Sequence, residues 1–90
     1  MTPPEIKDYL TERGYDNAVI LTSPDYAAAF IGMTTDGRAV YDFERMCQAP
    51  MDDDGMDYEE AAEFIEYNTV RALPYAGDRA PVIIYPLEAD

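Results

Sequence analysis

The chain has 90 residues and carries six Lys and Arg against 19 Asp and Glu, a formal net charge of −13 with no histidine. That balance disfavours nucleic acid and anionic membrane, favours basic proteins or cations, and removes the commonest general base and transition-metal ligand. A hydrophobic content of 48% argues against disorder, and the length suits one domain, residues 1–90, with one modest core.

Thr2 to Gly14 reads as a helix with both ends specified. Thr2 is the N-cap, Glu5 completes a capping box, and Pro3 sits where its missing N–H costs nothing. Ile6, Tyr9, Leu10 and Arg13 follow the i, i+3, i+4 rule, and Gly14 supplies a left-handed stop. Ala18 to Thr22 is a short β-branched apolar run bounded by turn residues, so a buried strand is expected there. Ser23-Pro24-Asp25 suggests a helical turn over about residues 24–27. Two apolar runs around Asp36-Gly37 then predict a hairpin, with strands near 28–34 and 38–42.

Asp42 is placed to cap a short helix from Phe43 to Ala49, where Pro50 argues for a stop. Met51 to Gly55 is then a connector. Asp57 caps the longest helix, with Glu60 in the capping-box position, and the pattern runs to Leu73 before Pro74. Val82 to Tyr85 between Pro81 and Pro86 is the last strand. The order α-β-β-β-α-α-β predicts a two-layer α+β fold, with a mainly antiparallel sheet of about four strands and helices packed on it.

An advance of about 100° per residue puts Tyr58, Ala61, Ala62, Ile65, Thr69, Ala72 and Leu73 on one face of the long helix. Glu59, Glu63 and Glu66 fall on the opposite face, with Glu60 close by. Such a row is read in three ways: a solvated surface, a docking face for a basic partner, or a crude imitation of a DNA strand. Tyr67 adjoins the row, and Tyr is an interface-rich residue. Of the eight tyrosines, Tyr9, Tyr41 and Tyr85 fall at core positions, while Tyr15, Tyr26, Tyr67 and Tyr75 fall near turns or helix flanks.

Other constellations carry less. Asp52-Asp53-Asp54-Gly55 invites a calcium-loop reading, but the positions two and four residues before Asp54 and six after Gly55 are Asp52, Pro50 and Ala61, so both ends fail. Cys47 has only Arg45 as a nearby cation and is read as a structural buried thiol. Acidic pairs such as Asp42 and Glu44 arise by chance in so acidic a chain. Asn68, Arg71 and Tyr75, with Thr69, form a candidate small polar cleft at the end of the long helix.

The strings Ala29-Phe30-Ile31-Gly32, Asp36-Gly37-Arg38-Ala39-Val40-Tyr41-Asp42, Asp54-Gly55-Met56-Asp57-Tyr58-Glu59-Glu60-Ala61 and Phe64-Ile65-Glu66-Tyr67-Asn68-Thr69-Val70-Arg71-Ala72-Leu73-Pro74-Tyr75 resemble a group of short acidic proteins. That group, to which no activity is attached, is carried by anaerobic Gram-positive bacteria and their phages or mobile elements. The resemblance spans about residues 18–85 and implies one compact domain in a bacterial or phage setting. It implies no functional residues. Pro50 departs from the group's pattern, in which the connector is more helical.

The expected function is therefore non-enzymatic binding of a basic protein through an acidic, Tyr-bearing surface (Glu59, Glu63, Glu66, Tyr67), in an accessory or inhibitor role. The rivals are a small ligand-binding domain or enzyme at Asn68, Arg71 and Tyr75, and a nucleic-acid mimic. No cofactor, metal, direct nucleic-acid contact or membrane contact is expected. The Met-Thr-Pro-Pro-Glu start lacks secretory-signal character, and the apolar stretch Ala27 to Met33 is far short of a bilayer span. The lone Cys47 suits a reducing cytoplasm.

A surplus of 13 negative charges on so small a body makes self-repulsion a measurable cost. The melting temperature should rise from low ionic strength to physiological salt, where the Debye length is about 8 Å. A flat or falling dependence would show that the acids are paired or hydrogen-bonded rather than crowded.

Overall fold

The computed structural model describes residues 2–22 and 26–87, so the cap expected at Ser23-Pro24-Asp25 lies outside the described residues. Helix α1, Pro3–Glu12, begins at Thr2 with a complete capping box: the Thr2 hydroxyl accepts from the Glu5 N–H, and Glu5 accepts from the Thr2 N–H at 2.9 Å. The bond from the Thr2 N–H, with the Thr2 hydroxyl as a lesser donor, holds the Glu5 carboxyl below the usual carboxylate range. Ile6 and Leu10 bury the inner stripe, and Gly14 follows the helix at φ +88°.

A 3₁₀ turn, Ala27–Ala29, leads into strand β1, Phe30–Met33, which pairs antiparallel with β2, Ala39–Asp42. The register pairs Phe30 with Tyr41 and Gly32 with Val40, so Ile31 is an extra residue that bulges β1. The hairpin loop closes through Thr34, whose N–H donates to the Arg38 carbonyl at 2.8 Å, while its hydroxyl accepts from the Arg38 N–H and donates to Asp36.

Asp42 ends β2 and caps α2, accepting from the Arg45 N–H at 3.2 Å. Helix α2 is Phe43–Asp54 and runs through Pro50, which corrects the expected stop at Ala49. Proline removes the bond that the Met46 carbonyl would accept and crowds that carbonyl, at a cost of about 3 kcal/mol. The offset is a continuous buried stripe of Phe43, Met46, Cys47 and Pro50 at i, i+3, i+4 and i+7. Gly55, at φ +68°, caps the helix with its N–H on the Pro50 carbonyl.

Helix α3 is Tyr58–Asn68, with the capping box of Asp57 and Glu60 in place. It ends five residues before the expected Leu73, at about the point where the missing N–H of Pro74 would leave the Val70 carbonyl unbonded. A 3₁₀ segment, Val70–Arg79, replaces its last turns. Ala61, Ile65 and Thr69 are buried as the helical phase requires. Tyr58, at the overhanging first position, and Ala72, beyond the helix end, are exposed instead.

Strand β3, Val82–Ile84, pairs parallel with β2, giving a sheet in the order β1-β2-β3. The fold is α+β, but its sheet has three strands among the described residues and is mixed rather than mainly antiparallel. The missing strand is Ala18–Thr22. Ala18 is buried as expected, yet the segment's donors go to the Arg79 carbonyl from Val19 at 3.2 Å and to the Tyr41 hydroxyl from Leu21 at 3.1 Å. Lys7 bonds the Asp16 and Ala18 carbonyls. These bonds to side chains and a loop take the place of a ladder. Two tyrosines also exchange places with expectation: Tyr26 is buried, while Tyr85 lies exposed with its ring against Phe43 at 4.8 Å.

Gly37, at φ +86°, is buried against Tyr15, whose ring would meet an added Cβ at 2.0 Å. At Gly55 nothing lies within 4 Å. Gly55→Ala should therefore cost about 1–2 kcal/mol for the left-handed backbone alone, and Gly37→Ala at least about 1 kcal/mol more for the collision. Equal losses in chemical denaturation would show that the Tyr15 ring moves freely aside.

Candidate functional site

The acidic face begins at the N-terminus of α3, where Glu60 is held in the capping box and Glu59, Glu63 and Glu66 are exposed. Along its flank runs an open depression of about 850 Å³. Glu60, Glu63 and Glu66 line it with Tyr67, Asn68 and Arg71, over an apolar floor of Met56, Phe64 and Val70. Two sets of residues singled out separately, the acidic row with Tyr67 and the polar pair Asn68 and Arg71, thus share one surface. Glu59 stands outside that lining, and so does Tyr75, which is 91% exposed on the 3₁₀ segment.

Its polar groups differ in freedom. Asn68 donates to the Phe64 carbonyl at 2.9 Å, a helix-side bond that fixes its amide. Arg71 lies 5.1 Å from the ring centre of Tyr67, itself 69% exposed. Glu66 accepts from the Tyr85 hydroxyl at 2.9 Å, and Glu44 on α2 accepts from the Tyr58 hydroxyl at the same distance. Bonding to carboxylates favours the protonated phenols, so Tyr85 is raised and Tyr58 is pushed up to about 12. Cys47 beneath them is buried, its thiol raised first by desolvation and then by Glu44 and Glu66, which leaves it unreactive.

The basic residues explain why the acids stay unneutralised. Lys7, Arg38 and Arg79 bond backbone carbonyls, of Asp16 and Ala18, of Ala80, and of Asp36 respectively. Arg13 bonds the Tyr9 carbonyl and lies over its ring. Only Arg45 pairs with a carboxylate among the described residues, at 3.9 Å from Asp42. No group of three or more His, Cys, Asp or Glu among the described residues could hold a metal ion, and none of their helices is long and apolar enough to cross a membrane.

A second, smaller cavity of about 200 Å³ lies on the other side of Asn68 and Thr69. Tyr26 reaches it from the start of the 3₁₀ turn and is 2% exposed, and Thr69 is 8% exposed. Burial raises the Tyr26 phenol. The Thr69 side chain opposes that shift without standing in hydrogen-bonding geometry, so the Tyr26 hydroxyl has no partner among the described residues. A buried donor left so costs about 1–3 kcal/mol. Nothing in the local sequence distinguishes Tyr26 from the exposed tyrosines; the residues that share its cavity, such as Thr69, Leu73 and Pro81, come from far along the chain.

No known protein family, curated protein or solved structure matches the chain.

The Tyr58–Glu44 bond gives a pH test. A phenol raised in the folded state contributes stability that is whole below its unfolded value near 10 and is lost as pH rises through about 12. Ultraviolet titration should show a late tyrosine that moves down toward 10 in Glu44→Gln. Tyr26 and Tyr85, raised by burial and by Glu66, should stay late in the variant, and a number of late tyrosines that does not fall by one would assign the Tyr58 shift to another cause.

Proposed function

We propose that the chain is a non-enzymatic binding protein, of accessory or inhibitor type, that docks a basic protein surface on the flank of α3. The observation that carries this reading is the disposition of charge. The cations are engaged with carbonyls, rings and Asp42, while Glu59, Glu63 and Glu66 face solvent without a cation among the described residues. Beside them lie the exposed ring of Tyr67 and the apolar Met56, Phe64 and Val70. A basic partner would find long-range attraction, then an aromatic anchor with apolar surface to bury. The resemblance to short acidic proteins of phages and mobile elements fits an inhibitor or accessory role by analogy.

Charge reversal of Glu59, Glu63 and Glu66 to Lys should abolish binding to a partner captured from the native host, with the fold retained. The loss should fall mainly on the association rate, and wild-type binding should weaken steeply with salt. The triple variant also moves the net charge from −13 to about −7, so a control with three reversals elsewhere is needed. Equal loss in that control would reduce the effect to bulk charge and end the docking-face reading.

A further inference from the structure

The three carboxylates that line the depression along α3 are not equivalent. Glu60 accepts from the Asp57 N–H at 3.5 Å, and Glu66 accepts from the Tyr85 hydroxyl at 2.9 Å. Glu63 has neither a hydrogen bond nor an ion pair among the described residues. It stands one helical turn before Tyr67, a spacing that brings the two Cβ atoms to about 5–6 Å. An uncommitted carboxylate and an exposed aromatic ring are therefore neighbours on one wall. Below them Met56, Phe64 and Val70 are half-buried and pack against the core, so the floor belongs to the folded body.

The ring shows which cation suits this wall. Arg71 lies 5.1 Å from the ring centre of Tyr67, within the range of a cation held by an aromatic face. It meets no oxygen acceptor among the described residues, unlike the other five Lys and Arg. A ring has two faces, and Tyr67 is 69% exposed, so the contact with Arg71 leaves surface for a second guanidinium. Glu63 and Glu66 line the same depression and outnumber the charge of Arg71. A guanidinium is planar and weakly hydrated, stacks on aromatic faces and offers a carboxylate a fork of donors. An ammonium is a compact, strongly hydrated point charge, which gains from Glu63 but less from the ring. Glu63 and Tyr67 are both exposed, and ion pairs left in water contribute little, so a free cation is held weakly here. A protein surface laid over the depression excludes water from the contact and strengthens it.

We propose that the docking surface takes an arginine side chain of its basic partner as its anchor, the guanidinium shared between the Glu63 carboxylate and the Tyr67 ring, and the aliphatic stem along Phe64 and Met56. The inference rests on the docking reading and adds to it a preference for arginine over lysine.

The test uses the full chain and two synthetic amphipathic helical peptides of equal length and charge. Both carry the same leucine face, with arginine at every basic position in one and lysine in the other. By fluorescence anisotropy the arginine peptide should bind about fivefold tighter, the margin of a partly desolvated guanidinium on an aromatic face. Tyr67→Leu keeps an apolar side chain at an exposed position and removes the aromatic face, so it should bring the two affinities together. Glu63→Gln should weaken the arginine peptide more than Glu59→Gln, which removes the same charge outside the depression. Equal affinities in the wild type, a preference that survives Tyr67→Leu, or equal losses in the two glutamine variants each overturn the arginine anchor. So does binding of neither peptide. The docking reading fails separately, if both peptides bind just as tightly once Glu59, Glu63 and Glu66 are changed to Lys. Salt-sensitive binding that this triple variant loses, but that does not distinguish the peptides, leaves the docking reading standing and overturns the anchor.

Discussion

Tyr41 lies fully buried in the central strand and is the residue through which the parts of the fold meet. Its backbone pairs with Phe30 on one side and Ile83 on the other. Its ring stands edge-on to Phe30 at 5.8 Å, and Phe30 in turn meets Tyr9 of α1 edge-on at 5.7 Å, so one run of aromatic contacts ties the first helix to the hairpin. Its hydroxyl takes the Leu21 N–H and thereby fixes the extended segment that walls the small cavity. The next residue, Asp42, starts α2 as its N-cap. Sheet, first helix, irregular segment and second helix are therefore positioned from two adjacent residues of one short strand.

The second organising fact is what the cations do. Chains with excess acid are ordinarily expected to distribute their few bases among the acids. Here Lys7, Arg38 and Arg79 instead bond carbonyls of chain stretches that lie in no strand or α-helix. Charge-assisted bonds of this kind are about twice as strong as neutral ones, and they satisfy backbone groups that no ladder serves. The bases thus serve as ties for irregular backbone, and the acidic field of the surface is left at nearly full strength. Architecture and electrostatic character come from the same few residues.

Features set by near neighbours were legible in the sequence. The capping boxes of Thr2 with Glu5 and Asp57 with Glu60, the Asp42 cap and the Asp36-Gly37 hairpin each need only three or four residues to be read. Features set by competition or by distant packing were not. Pro50 carries a local penalty that the stripe from Phe43 outweighs, and the apolar run at Ala18–Thr22 announces burial without saying whether a strand or a side chain will take its donors. The same division holds for the candidate site. Glu63 and Tyr67 are α3 neighbours at i, i+4 spacing, within reach of periodicity; Arg71 and Tyr75 lie beyond Asn68 on the 3₁₀ segment, where Arg71 still lines the depression and Tyr75 does not. Tyr26 was missed because it is buried near Thr69, 43 residues further along the chain, which no local pattern announces.

The parallel seam between β2 and β3 has a consequence for the order in which the molecule assembles. The β1–β2 hairpin joins residues close in the chain and can close within microseconds once both strands exist. Val40 and Val82 are about forty residues apart, and their pairing must wait for the entropy of a loop containing two helices to be met. During synthesis the free edge of Ala39–Asp42 consequently stands open until both helices have left the ribosome and Val82–Ile84 arrives. In that interval the nascent chain presents an unpaired strand to its surroundings, and the caps of α2 and α3, which form locally, shorten it by compacting the loop in advance.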